Sequence, residues 1–298
     1  MQLKLFEVKK INQKTTGVEG IVNVSSVPQR SPFRYPGGKT WFVPTFRKWL
    51  SAKAKKPELL VEPFAGGGII GLTAAFENLA ERVLLVELDP NVAAVWEILI
   101  SGNHERLAKK IVNFEMTYEN AKDALEKPPR STDDKAFQTI LRNRVSHGGI
   151  MAPGAGLIKN GENGKGISSR WYPTTLARRI LDIGSIRTKI SFVQDDAFNA
   201  IEDYLDDKNT VFFIDPPYTA AGKKAGRRLY SHHALDHELL FKTMKDAEGD
   251  VVFTYDSSED LVKMATSHKF KTKLIPMKNT HHAEMTELII GKDLKWLK

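Results

Sequence analysis

The chain has no cysteine among its 298 residues, which excludes disulfides, thiolate metal sites and a cysteine nucleophile together. No apolar run reaches the roughly 20 residues that a membrane-spanning helix needs. Residues 1–10 carry lysines and a glutamate where a signal segment would have an apolar core, so a cytoplasmic protein with no membrane partner is expected. Internal repeats and low-complexity tracts are absent as well. Apolar residues at 41% and charged residues at 27% are ordinary for a folded domain. The length suits one large α/β domain with a small insertion. A formal net charge of +8 favours a polyanionic partner through phosphate contacts and counterion release.

Residues 1–30 alternate apolar and polar positions, Leu3 and Leu5 and then Val22 and Val24, around Gly17 and Gly20, which predicts a small hairpin appended to the core. From residue 59 the pattern changes. Residues 59–61 read as a short apolar strand, a glycine-rich turn follows, and 69–79 have helical spacing. A second strand over 83–86 and a second helix over 91–100 complete the β-α-β-α run that builds a parallel sheet. Apolar segments at 190–193, 211–214, 251–255 and 287–290 predict further strands. Fully apolar strands such as Val211-Phe212-Phe213-Ile214 are what a sheet covered on both faces requires. Between Gly148 and Gly166 stand seven glycines with little apolar periodicity, which predicts a loop-rich inserted module. The expected organisation is an N-terminal extension over 1–30, the main α/β domain over 31–115 and 181–298, and an insertion over 116–180.

Two motifs carry chemistry. Glu62-Pro63-Phe64-Ala65-Gly66-Gly67-Gly68 follows the first strand and opens a helix, where open α/β sheets bind ligands. Gly66 and Gly68 let the backbone approach a nucleoside, although a tight strand–helix turn alone would also use them. Glu87 ends the second strand, some 20 residues on, the position from which an acid bonds ribose hydroxyls. The spacing G-x-G-x-x-G is missing, which argues against a dinucleotide. The second motif, Asp215-Pro216-Pro217-Tyr218, ends an apolar strand. Its prolines fix φ and remove two backbone donors. What remains is a stiff turn rich in acceptors, suited to holding an amino group by its N–H bonds.

Phe64-Ala65-Gly66-Gly67-Gly68 is similar to the F-x-G-x-G motif of amino-methyltransferases that use S-adenosylmethionine. Upstream, Pro32-Phe33-Arg34-Tyr35-Pro36-Gly37-Gly38-Lys39 resembles the P-F-x-x-x-G-G-K element of the DNA adenine methylase (Dam-like) family, and the tetrad and the order of the motifs agree with it. The resemblance covers about 31–100 and 190–298. It implies a Rossmann-like methyltransferase sheet with helices on both faces, S-adenosylmethionine as cofactor with S-adenosylhomocysteine as product, and double-stranded DNA as partner. It assigns Lys39 to the cofactor carboxylate and Tyr35 to its neighbourhood, with Glu62, Pro63, Phe64, Gly66, Gly68 and Glu87 around the rest. Asp196 matches the acid directed at the cofactor's adenine, though Asp195 beside it is an alternative. Asp215 and the Pro216 carbonyl would hold the amino group of an adenine flipped from the duplex, with Pro217 stiffening the turn and Tyr218 stacking on the base.

Thr219 to Tyr230 holds Lys223, Lys224, Arg227 and Arg228 interspersed with Gly222 and Gly226, a basic loop suited to clamping phosphates. The insertion occupies the family's target-recognition position, where Arg142, Asn143, Arg144, Arg170 and Trp171 are candidate DNA contacts. His232, His233, His237 and the pair His281-His282 invite a metal reading, but no third ligand has suitable spacing. Asp236-His237 instead resembles a helix-opening pair of the family. Membership would leave room for a companion restriction endonuclease in a restriction-modification system. Methylation of a cytosine amino group or of RNA, and a catalytically silent DNA-binding relative, are the competing readings.

Overall fold

A computed structural model of the chain describes residues 24–34, 38–149, 156–158, 161, 164–217, 235–278 and 284–297. Most of the hairpin expected over 1–30 lies outside these residues, and within them Val24–Ser26 is a 3-10 turn.

The first helix, α1 (Val43–Ser51), has a proline in its first turn, where a missing N–H costs nothing. Strand β1 (Leu59–Glu62) leads through the glycine turn into α2 (Ile69–Glu77). Strand β2 (Arg82–Val86) leads into α3 (Pro90–Ser101), which Asp89 caps by accepting from Asn91 N–H. Four helices follow: α4 (His104–Asn113), α5 (Tyr118–Glu126), α6 (Thr132–Val145) and α7 (Pro173–Ser185). Then come β3 (Ile190–Val193), α8 (Ala197–Glu202) and β4 (Thr210–Ile214). The described chain ends with α9 (His237–Asp246), β5 (Asp250–Asp256), α10 (Glu259–Ser267), β6 (Lys271–Lys278) and β7 (Glu284–Gly291).

The strands form one sheet in the order β3-β2-β1-β4-β5-β7-β6. All pairs from β3 to β5 are parallel, and β7 runs antiparallel to both β5 and β6. This is the expected α/β sheet of Rossmann-like type. The chain leaves β1 toward β2 and β3, then crosses back to β4 on its other side. The crossover creates a switch point between β1 and β4, the place where such sheets form a ligand crevice at their carboxyl ends.

Alternation along each strand sorts the core into two layers. Leu60, Val83, Leu85, Val211, Phe213, Val252 and Ile289 face one apolar cluster, which α1 to α7 cover. Their neighbours Val61, Leu84, Val86, Phe212, Phe253, Leu288 and Ile290 face the other, which α8, α9 and α10 cover. Both faces are therefore buried, which explains strands with no polar alternation. The exceptions are the two edge strands, β3 with exposed Ser191 and Val193 and β6 with exposed Lys271, Lys273 and Pro276. Edge lysines and a proline discourage pairing with other chains, and they also hide β6 from a reading based on apolar runs.

Within the insertion expected over 116–180, helices α5, α6 and the start of α7 flank the glycine-rich stretch 148–166, whose described residues hold no α-helix. In α6, Phe137, Ile140, Leu141 and Val145 join the same cluster as α2 and α3. The glycines between 148 and 166 interrupt the apolar periodicity between the helices on either side. Among the described residues no helix is long and apolar enough to cross a membrane.

The junction of β1, α2 and β2 is tight at Gly71, where an added Cβ would lie 2.5 Å from Leu85 Cδ2 and 2.7 Å from Glu62 Oε2. Gly71→Ala is expected to destabilise the protein by about 1–3 kcal/mol through overpacking, measured by urea denaturation. An unchanged midpoint would show that the junction relaxes freely.

Candidate active site at the carboxyl ends of the parallel strands

Parallel strands bring their final residues to one edge. Glu62 closes β1, Glu87 and Asp196 follow β2 and β3, and Asp215 follows β4. Strand register then selects the side. In β1, β4 and β5, Glu62, Asp215 and Thr254 succeed Val61, Ile214 and Phe253, all of which face the α8–α10 layer. The three polar residues therefore point to the opposite side, that of α1 and α2.

Lys39 reaches the same point from a short 3-10 turn, Lys39–Phe42, just before α1. Phe42 stacks on Phe213 with ring centroids 5.6 Å apart, and Phe46 meets the same ring edge-on at 6.2 Å. These contacts fix the start of α1 against β4. The outcome is an ion pair, Lys39 Nζ to Asp215 Oδ1 at 2.9 Å, with Lys39 only 3% exposed and Asp215 20% exposed. The Thr254 hydroxyl donates to the same oxygen at 2.9 Å. Pro216 is buried beside them.

The segment leading to Lys39 is tied down from α6 and α7. Asn143 Oδ1 accepts from Arg34 N–H at 2.8 Å, while its Nδ2 donates to the Arg34 carbonyl at 3.1 Å and to that of Gly149 at 3.0 Å. Arg144 donates to the Pro32 carbonyl, and Arg179 to the Ser31 carbonyl at 3.0 Å. Phe33 is buried near Trp96. Asn143 and Arg144, read from sequence as DNA contacts, are thus buried at 1% and 4% exposure. Their polar atoms hold backbone, and burial holds the Arg144 guanidinium down to about 9. Trp171 is likewise buried, in an aromatic cluster with Phe114 and Phe137. Arg142 and Arg170 are half-buried.

The glycine turn is built as its residues require. Gly66 and Gly68 have φ of 47° and 61°, the left-handed region in which a side chain is strained. An added Cβ at Gly68 would stand 2.6 Å from the Trp96 ring. Trp96 Nε1 donates to the Gly66 carbonyl at 3.0 Å. Glu87 closes the turn from β2, accepting from Gly66 N–H through one oxygen and from Asp89 N–H through the other, each at 2.9 Å. Its surroundings exclude solvent enough to push the carboxyl up to about 7, against those hydrogen bonds. Glu62 accepts from Gly71 N–H at 2.7 Å, capping α2 where Gly68 has no side chain to do so. Burial pushes its carboxyl up to about 8; the Gly71 bond opposes the shift and the negative Asp215 nearby adds to it.

Sequence reasoning found Lys39, Glu62, Glu87 and Asp215, which the structure brings to one edge. It missed Thr254, whose signal is a hydroxyl within the apolar run Val251-Val252-Phe253-Thr254-Tyr255. It missed Trp96, which no local pattern marks. It also missed the contact between His237 Nδ1 and the buried Tyr255 hydroxyl at 3.0 Å. Desolvation lowers the His237 pKa and raises that of Tyr255. Asp236 caps α9 by accepting from Leu239 N–H at 2.9 Å, as its resemblance to a helix-opening pair implied. Pro63 is buried, and Phe64 packs at the edge of the α8–α10 cluster. Asp196 caps α8 through Phe198 N–H at 2.9 Å, whereas Asp195 accepts from Asp196 N–H at 2.7 Å and from Asn199 at 2.9 Å. Tyr35, Tyr218, Lys223, Lys224, Arg227, Arg228, His232, His233, His281 and His282 lie outside the described residues. Among the described residues no group of three or more His, Asp or Glu side chains is placed to hold a metal.

Residues 35–140 match the model of a family described as D12 class N6 adenine-specific DNA methyltransferase. This match supports a methyltransferase activity for the chain. The D12 class is also the kind of family that its motifs resemble. No curated protein matches this methyltransferase at a significant level. Solved structures that align with the chain include an rRNA methyltransferase from Streptomyces viridochromogenes, 13% identical, covering 90% of this chain and 92% of that one with a TM-score of 0.40. An rRNA methylase from Streptococcus thermophilus is 10% identical over 85% of this chain and 97% of its own, with a TM-score of 0.36. A precorrin-6y C5,15-methyltransferase from Geobacter metallireducens is 10% identical over 83% and 85%, with a TM-score of 0.37. Likenesses this distant carry no information on substrate.

Two outcomes follow for the methyltransferase. Asn143→Ala removes three hydrogen bonds from a buried side chain to the backbone of Arg34 and Gly149 and is expected to cost about 2–4 kcal/mol, read by urea denaturation; a loss under 1 kcal/mol would show that water replaces them. Glu62 titrates from an ordinary 4.5 to about 8 in the fold. Because its folded value is raised, its stabilising effect is complete below the unfolded value and disappears as pH rises through the folded one. Stability of Glu62→Gln relative to wild type should therefore increase between about pH 4.5 and 8, and a pH-independent difference would contradict the shift.

Proposed function

We propose that this methyltransferase transfers a methyl group from S-adenosylmethionine to the N6 amino group of an adenine flipped out of double-stranded DNA. The observation that carries the reading is Asp215, held by Lys39 at 2.9 Å and placed beside the glycine turn at the switch point of the sheet. When bound, S-adenosylmethionine supplies an electrophilic methyl group on a sulfonium.

The donor and acceptor set suits that cofactor. Each Glu87 oxygen already takes one backbone N–H, and a carboxylate oxygen has a second lone pair with which to accept a ribose hydroxyl. The Lys39 ammonium has three donors, so its bond to Asp215 is compatible with a second one to the cofactor carboxylate. The Glu62 carboxyl, with Pro63, Phe64, Gly66 and Gly68, bounds the space between them. Tyr35 is assigned an aromatic face beside the sulfonium, and Asp196 the adenine amino group.

Adenine's exocyclic nitrogen is a poor nucleophile because its lone pair is delocalised into the ring. Asp215 and the Pro216 carbonyl each accept one of its N–H bonds, which favours tetrahedral geometry and frees the lone pair for in-line attack. The nitrogen–methyl bond would form as the methyl–sulfur bond breaks to leave the neutral thioether of S-adenosylhomocysteine, and the surplus proton on nitrogen would leave by way of the Asp215 carboxylate. Positioning and electrostatics supply the acceleration, without a covalent enzyme intermediate. Tyr218 stacks on the extruded base. Lys223, Lys224, Arg227 and Arg228 bind phosphates, and the net charge of +8 draws the duplex in. The family's description supports adenine in DNA as the acceptor.

The test is transfer of tritiated methyl groups to duplex DNA. Asp215→Asn, which keeps the side chain's shape, is expected to lower kcat by about 100-fold or more while calorimetry shows S-adenosylmethionine affinity within about threefold of wild type. Transfer at the wild-type rate in this variant would contradict the assignment of Asp215.

A further inference from the structure

We infer that Thr254 is a positioning residue for methyl transfer, aiming the Asp215 carboxylate at the target amino group. The inference rests on the reading of Asp215 as the acceptor of that group's N–H bonds. Thr254 is fully buried, at 0% exposure, directly after the apolar run Val251-Val252-Phe253 of β5. Valine has the same shape and would pack there without a polar atom, and a buried hydroxyl is costly unless it is bonded. The hydroxyl donates to Asp215 Oδ1 at 2.9 Å. Register makes this contact automatic, because Ile214 pairs with Phe253 and Asp215 and Thr254 are the next residues on the two strands.

Two donors from separate parts of the fold meet on that oxygen, Thr254 from β5 and Lys39 from the turn before α1. They do different work. Lysine is a point charge on a flexible stem and holds a carboxylate at a distance without fixing its plane. Threonine is stiff at χ1, and here it sits in an interior strand, so its hydroxyl defines a direction. Together they restrain rotation of the carboxylate about its Cβ–Cγ bond. If Lys39 also engages an anion of the cofactor, Thr254 keeps the plane set while the ammonium is shared. Alignment matters at this level, since a displacement of about 1 Å can cost about 100-fold in rate.

The experiment compares Thr254→Val with Thr254→Ser in the tritium assay, with thermal denaturation confirming that each variant folds. Thr254→Val is expected to lose about 10- to 100-fold in kcat, with KM for DNA and S-adenosylmethionine affinity within about twofold of wild type. Thr254→Ser, which restores the hydroxyl, should recover to within about threefold of the wild-type kcat. A wild-type kcat in Thr254→Val, an equal loss in Thr254→Ser, or a loss confined to KM would each overturn the proposal. Asp215→Asn in the same assay separates the two ideas. If it is inactive while Thr254→Val is fully active, positioning by Thr254 fails and the role of Asp215 stands. Independently of turnover, crystal structures should show the Asp215 carboxylate plane rotated in Thr254→Val; an unchanged plane overturns the inference even if duplex DNA proves not to be the substrate.

Discussion

The ion pair between Lys39 and Asp215 is the contact around which this molecule is organised. An ammonium at 3% exposure is tolerated only when paired, because removing one partner of a buried pair leaves an uncompensated charge that costs several kcal/mol. Each partner arrives by a different route. Asp215 arrives at the end of a wholly buried strand, and Lys39 from a turn anchored by Phe42 on Phe213. The aromatic stack and the ion pair lie side by side, so the packing that stabilises the core also sets the geometry of the site.

The helices between β2 and β3 extend the same logic. Asn143 and Arg144 on α6, with Arg179 on α7, grip the carbonyls and amide of residues 31–34. They hold the approach to Lys39 as a splint holds a rod. Asn143 and Arg144, which look like nucleic-acid ligands when viewed as sequence, are internal struts in the fold. The glycine turn is supported in a similar manner from outside itself, by Trp96 on one side and Glu87 on the other. Carboxylates with raised pKa values, Glu62 and Glu87, stand beneath that turn, as desolvated acids often do at functional sites.

Much of this was legible in the residues. Apolar runs located β1, β2, β4, β5 and β7, because a sheet buried on both faces writes itself as continuous hydrophobic segments, and Ile190, Phe192 and Val193 marked β3 although it is a half-exposed edge. The acids at the strand ends were legible for the same reason, since a polar residue closing such a run has one place to go. Strand β6 was not, because its lysines and proline serve an exposed edge. The burial of Arg144 was not legible either: an arginine that bonds a distant carbonyl looks the same in sequence as one that bonds a phosphate. Thr254 became meaningful only when register set it beside Asp215.

The central claim is that an acceptor-rich strand end, clamped by Lys39, presents an amino group to a methyl donor, and that the amino group belongs to adenine. Nucleoside mass spectrometry of duplex DNA incubated with the protein and S-adenosylmethionine tests it most directly. The account predicts N6-methyladenine as the modified nucleoside, absent when the cofactor is omitted. N4-methylcytosine, or DNA left unmodified by protein that binds the cofactor, would contradict it.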